Sequence, residues 1–231
     1  MDCMVKVAAA QHRLRAWVIL GGLLGVWILG HAELFKLDNV IQAVQRLYGA
    51  NAGAVVKDWY NALTIFQTGS EQQKLKDINE FMNRRLRFVD DQTNWGQNDY
   101  WATPIEAMLK GAADCEDYAI AKYVSLKAIG VPVSKMRITY VKARIGGPAS
   151  TLTQAHMVLT YYPTPDAEPL VLDNLVGEIR PASRRADLQP IFSFNTEGLW
   201  QAGNTEAQPG GGSRLTRWND LLEKMKNEGF D

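Results

Sequence analysis

The chain has 231 residues, of which 46% are hydrophobic and 22% charged, the balance of a folded globular protein. Its 25 basic residues are matched by 25 acidic ones, so no net positive field argues for a nucleic-acid partner. The length fits one domain with at most a short accessory segment.

Residues 1–32 differ in kind from the rest. Lys6, Arg13 and Arg15 precede an uncharged run, AWVILGGLLGVWILG, and Gly30 and Ala32 follow in the small-residue spacing of a cleavage site. A membrane-spanning helix needs roughly 20 apolar residues, and this run is shorter. A cleaved export signal over residues 1–32 is therefore expected, an uncleaved anchor being the less favoured alternative. Either way, residues 33 onward leave the cytoplasm. Loss of Cys3 with the signal leaves Cys115 as the lone cysteine. A lone thiol in an oxidising compartment is a liability unless it is buried or used.

Residues 38–66 read as helical, with apolar residues at helical spacing in NVIQAVQRLY and AVVKDWYNALTIF. Ser70 is a candidate N-cap for EQQKLKDINEFMNRRLRF, whose Leu75, Ile78, Met82 and Leu86 form a stripe. Residues 89–102 read as a polar, aromatic-studded loop. Thr103, Pro104 and Glu106 have the spacing of a capping box that opens a short helix, which Gly111 ends. A longer helix begins near Asp114 and runs to Ile129, with Gly130 as its stop. Cys115 thus falls in a first helical turn.

Beyond Pro132 the period changes from 3.6 to 2. KMRITYVKAR and QAHMVLTYY read as strands joined by IGGPAS, EPLVLDNL as a third, and IFSFNTEGLW as a fourth. Helices first and sequential strands after predict an α+β domain, N-terminal helices against an antiparallel sheet. Domain boundaries are expected at 33–200, with residues 201–231 forming a Gly-rich linker and a final amphipathic segment. Whether that segment docks or stays mobile is open at this level.

Cys115 lies among Asp114, Glu116 and Asp117, charges that disfavour a thiolate. A nucleophilic thiol needs a base in reach and a group that orients the base. His12 and His31 fall in the signal, which leaves His156, inside a predicted strand. Asp173 ends the apolar run PLVLD and can accept from a histidine on the neighbouring strand if the register permits. A helix N-terminus offers free N–H groups and a partial positive charge to the thiolate. The Cys115 backbone N–H is a candidate oxyanion donor. Trp95, Tyr100 and Trp101 are candidate walls of a substrate groove. From residues alone, the acids beside Cys115 are equally ordinary partners of a helix dipole.

The segments TPIEAMLKGAADCEDYAIAKYVSLKAIGVP, QAHMVLTYY and LVLDNL, after a DYWATP lead-in, resemble the bacterial transglutaminase-like cysteine proteinases of the LapG type. DCEDYAIAK is the most specific block, and the resemblance spans about residues 35–200. It implies a transglutaminase-like, papain-like fold, a catalytic set at Cys115, His156 and Asp173, and calcium held by Asp114 and Glu116, with Asp117 a further candidate. Asn98, Asp99 or the Tyr100 carbonyl are candidates to complete the shell. The resemblance further implies a periplasmic, calcium-dependent endopeptidase. Such a protease cuts the N-terminal region of a large repeat-containing adhesin near an Ala-Ala pair, releasing it and promoting biofilm dispersal. A LapD-type receptor that senses cyclic di-GMP would control it. Two alternatives stand beside this: a transglutaminase-type acyl transferase, and a non-enzymatic calcium-stabilised binding module.

Overall fold

The computed structural model describes residues 34–204, 206–208 and 215–230, so the predicted export signal lies outside the described residues. Among the described residues, no helix is long and apolar enough to cross a membrane. The helical layer comes first. Helices α1 (Leu37–Tyr48) and α2 (Ala52–Phe66) replace the single helical stretch read over 38–66. Gly49, at φ +94°, breaks that stretch in a conformation other residues resist. Helix α3 (Glu71–Arg85) starts where Ser70 accepts a hydrogen bond from the Gln73 N–H, and its stripe Leu75, Ile78 and Met82 is buried.

The stretch read as a loop over 89–102 contains a further helix, and the end of the preceding segment read as helix is a short strand. Strand β1 (Arg87–Phe88) leads into α4 (Asp91–Trp95), which Asp90 caps by accepting from the Thr93 N–H at 2.9 Å. Helix α5 (Pro104–Lys110) carries the full capping box of Thr103 and Glu106 and ends at Gly111, φ +62°. Strand β2 (Ala112–Ala113) pairs in parallel with β1 and delivers the chain to Asp114, the N-cap of α6 (Cys115–Ala128). The short ladder fixes where α6 begins, and therefore where Cys115 sits.

Helix α6 is buried on nearly all sides from Asp117 to Leu126, as expected of a helix enclosed between two layers. Trp59 of α2 donates from Nε1 to Ser125 Oγ at 3.0 Å and ties α6 to the helical layer. On the other side lies an antiparallel sheet of order β6-β5-β4-β3-β7-β8. Its strands are β3 (Met136–Arg144), β4 (Thr153–Tyr161), β5 (Leu170–Leu172), β6 (Arg180–Pro181), β7 (Leu188–Phe194) and β8 (Leu199–Gln201). The segment read as one fourth strand is thus two. Asn195 Oδ1 accepts from the N–H groups of Glu197 at 2.7 Å and Gly198 at 3.0 Å, an Asx-type turn that reverses the chain. A bulge between β3 and β7 falls beside Pro190, which has no N–H to give the ladder.

The final segment docks. Helix α7 (Thr216–Asn227) buries Trp218, Leu221 and Met225 in the main core. The Trp218 ring meets Phe194 edge-on at 5.3 Å and Tyr123 at 5.8 Å. Polar contacts hold the same helix down. Lys224 Nζ donates to the Trp101 carbonyl at 2.6 Å and to Glu106 Oε2 at 2.8 Å, and buried Glu228 accepts from Thr103 Oγ1 at 2.6 Å.

Candidate active site

Cys115 is the first residue of α6 and lines a groove of about 580 Å³ that His156, Met157, Trp101, Tyr140 and Phe192 also line. Its Sγ donates to Glu116 Oε2 at 3.0 Å. Burial pushes the Cys115 thiol up, the charge and hydrogen bond of Glu116 push it further, and Asp114 adds to them. The Met157 backbone N–H opposes these effects without overcoming them. The acids beside the thiol thus oppose its ionisation.

His156, on β4, is 1% exposed, and its Nε2 hydrogen-bonds Asp173 Oδ1 at 2.8 Å. Nε2 is thereby occupied, which leaves Nδ1 as the nitrogen free to address a thiol. Asp173 stands one residue past β5. Leu159 is opposite Leu172, and continuing that register sets Asp173 opposite Val158, two residues along β4 from His156 and hence on its face of the sheet. Asp173 also accepts from the Leu175 N–H at 3.0 Å and from Arg185 Nη2 at 2.7 Å. Burial alone would raise the carboxyl. The His156 hydrogen bond and charge, then the Arg185 guanidinium, outweigh burial and hold it at about 2. Lys122 of α6 is equally buried, and burial pushes its ammonium down to about 7 although the charge of Asp173 works against that shift.

Beside the thiol the structure gathers more acids than the three adjacent in sequence. Carboxylate oxygens of Asp91, Asp114 and Asp117 lie within 4.8 Å of one another, and so do those of Asp91, Asp99 and Glu116. Asp114 sits outside the helix proper with an extended backbone. It therefore reaches Glu116, which a residue one turn into a regular helix would not do. Burial, then the charges of Glu116, Asp117 and Asp91, push Asp114 up to about 10. Burial likewise pushes Asp91 to about 6 and Asp117 well above the ordinary range. Asp91 Oδ1 and Asp117 Oδ2 are buried without a hydrogen-bond partner. Clustered, mutually repelling carboxylates with orphaned oxygens fit a hard divalent cation, whose ligands are carboxylate and carbonyl oxygens.

Of the three aromatic residues read as groove walls, Trp101 lines the groove and stacks on Phe194 at 5.6 Å. Trp95 and Tyr100 instead pack on each other at 4.6 Å, and the Tyr100 hydroxyl donates to Glu106 Oε1. Sequence reasoning missed Asp91, Lys122 and Arg185. Asp91 follows a capping Asp90 and reads as another first-turn acid, whereas Arg185 sits in SRRAD, which has the look of a solvated loop.

A helix-start cysteine and a strand histidine bonded to an acid, in one groove of an α+β fold, define a papain-like, transglutaminase-like class of protein. The family model of the bacterial transglutaminase-like cysteine proteinases (BTLCP) matches residues 54–188, and the chain belongs to that family. Among solved structures it is similar to Legionella pneumophila LapG, at 37% identity over 84% of this chain and 99% of that one, TM-score 0.68. The same protein after EGTA treatment gives 36% identity, 84% and 100% coverage, and a TM-score of 0.70. Its calcium-bound form gives 36%, 82% and 98%, and 0.68. Comparison with curated proteins gives no match.

Proposed function

We propose that the chain is a calcium-dependent cysteine endopeptidase of the periplasm, with Cys115 as nucleophile, His156 as general base and acid, and Asp173 as the group that orients His156. The observation that carries this reading is the 2.8 Å His156–Asp173 hydrogen bond in a groove that Cys115 also lines. Asp173 fixes the Nε2–H tautomer, so Nδ1 is unprotonated and can accept the Cys115 proton. The sulfur then adds to a peptide carbonyl, and the Cys115 backbone N–H, a free donor at the helix start, faces the developing oxyanion. Imidazolium gives its proton to the leaving amine as the C–N bond breaks, leaving a thioester. Water, deprotonated by the same nitrogen, adds to the thioester and releases the acid and the thiol.

Asp91, Asp99, Asp114, Glu116 and Asp117 are the residues that would hold calcium. A bound Ca²⁺ supplies positive charge that offsets the acids beside the thiol. The calcium-bound Legionella relative supports this reading, as do the orphaned oxygens of Asp91 and Asp117. Glu116, once engaged elsewhere, no longer holds the thiol proton.

The substrate in this reading is the N-terminal region of a large repeat-containing adhesin, cut near an Ala-Ala pair, with a LapD-type receptor as controlling partner. The export signal read in residues 1–32 supports the periplasmic location. The test is the mass of the products formed from that adhesin region in the presence of calcium and a primary amine. Two fragments whose masses sum to substrate plus one water support hydrolysis. An amine adduct would mean acyl transfer instead, and intact substrate would leave the binding-module alternative.

A further inference from the structure

Arg185 lines no part of the groove, yet its side chain is 2% exposed and pairs with two carboxylates through Nε and Nη2. Nη2 donates to Asp173 Oδ2 at 2.7 Å and to Asp187 Oδ2 at 2.8 Å, while Nε donates to Asp187 Oδ1 at 3.0 Å. Its Nη1 is buried without a partner. A buried ion pair of this kind is a weak stabilising device, because desolvation offsets much of the attraction and an apolar pair of like volume does as well. Its geometry fits another purpose.

A carboxylate turns easily about its terminal torsion, which has no sharp staggered wells. Asp173 is gripped on both oxygens: Oδ1 by His156 Nε2 and the Leu175 N–H, Oδ2 by Arg185. Asn83 of α3 holds the Asp173 backbone carbonyl at 2.9 Å. Lys122 of α6 is the other cation facing this carboxylate, and Asp187 the other anion facing Arg185. The Arg185 fork bridges two carboxylates at once, which a lysine ammonium on a flexible stem does not reproduce.

We propose that Arg185 is a positioning residue for the reaction: it locks the Asp173 carboxylate so that Oδ1 stays on His156 Nε2 and Nδ1 stays turned to the thiol. The inference rests on the peptidase reading above. Because Arg185 does not line the groove, its loss slows the chemical step and leaves substrate binding alone.

The exported chain, residues 33–231, has one histidine, so the low-field Nε2–H proton of His156 is a single assignable NMR signal. R185M is expected to move or broaden that signal and to lower kcat about 10- to 100-fold, with KM changed less than about twofold. R185K keeps the buried charge without the fork. It is expected to restore part of the signal and to fall roughly 3- to 10-fold below the parent kcat. R180Q, which removes an exposed pair with Glu178, serves as the control and is expected to change neither readout. Parent kcat and an unmoved signal in R185M would overturn the proposal. So would the same result in R185K if R185M does not fold. A signal that responds to R185M in a chain that cleaves nothing would overturn the peptidase reading and leave the Arg185–His156 coupling supported.

Discussion

Asp173→Asn is the most informative single substitution, because it preserves shape and sets a donor against His156, with loss of the Leu175 N–H bond to the same oxygen. The carboxamide nitrogen that this change sets against His156 would donate where the carboxylate accepts. Nε2 must then be the unprotonated nitrogen, and Nδ1 carries the proton that it needs to be without. The general base is in the wrong tautomer, a change worth about 10³- to 10⁴-fold in kcat in a triad of this kind, or about 4–5.5 kcal/mol of barrier. A second consequence concerns stability. Asp173 is held at about 2 from an ordinary 3.8. A lowered folded-state value contributes stability that is present above pH 3.8 and is lost as pH falls from there through about 2. The contribution is on the order of 2 kcal/mol at neutral pH. Cleavage kinetics and urea unfolding at pH 7 and pH 2.5 measure the two effects. D173N is expected to lose nearly all activity while binding substrate, and its stability deficit is expected to shrink in acid. Activity within tenfold of the parent would refute the orienting role, and a deficit independent of pH would refute the electrostatic account.

Three further outcomes follow from other parts of the structure. Asp91→Asn removes an acid that the chain brings to the cluster from a separate helix, so calcium affinity measured by titration calorimetry should weaken by at least about tenfold; unchanged affinity would put the ion elsewhere. Trp218→Ala opens a cavity under α7 and should cost about 3–5 kcal/mol in urea unfolding, whereas a loss below about 1 kcal/mol would mean that the helix contributes little to the core. Burial raises Glu228 from 4.5 to about 7, a shift whose stabilising effect is complete below pH 4.5 and is lost as pH rises through about 7. E228Q should therefore flatten the stability profile between those values, and a parallel profile would contradict the burial argument.

Apart from α4, which read as a loop, the helices, their caps and the antiparallel sheet are legible in the sequence because each has a local cause. Ser70 and Thr103 accept where capping residues should, Gly111 turns where a helix stop is expected, and the period changes to 2 after Pro132. Local causes also mislead. Gly49 splits a continuous apolar pattern, and Asn195 folds one apparent strand into two. At the site, sequence proximity points to Asp114, Glu116 and Asp117, but Asp91 joins them only through the fold of α4 against β2. His156 and Asp173 meet through a register that residue types alone leave undetermined. Arg185 is invisible in the sequence for a different reason. A charged residue in a polar loop reads as solvated, and only the buried end of β5 makes it otherwise.

In the proposed function Cys115 cleaves a protein substrate, and calcium offsets the charge of the acids around it. The direct measurement mixes residues 33–231 with an adhesin N-terminal region, with calcium and then with a chelator, beside a Cys115→Ala control. The expected result is cleavage that disappears both in the chelator and in C115A. Cleavage that persists in C115A, or a folded parent that cleaves nothing with calcium present, would contradict it.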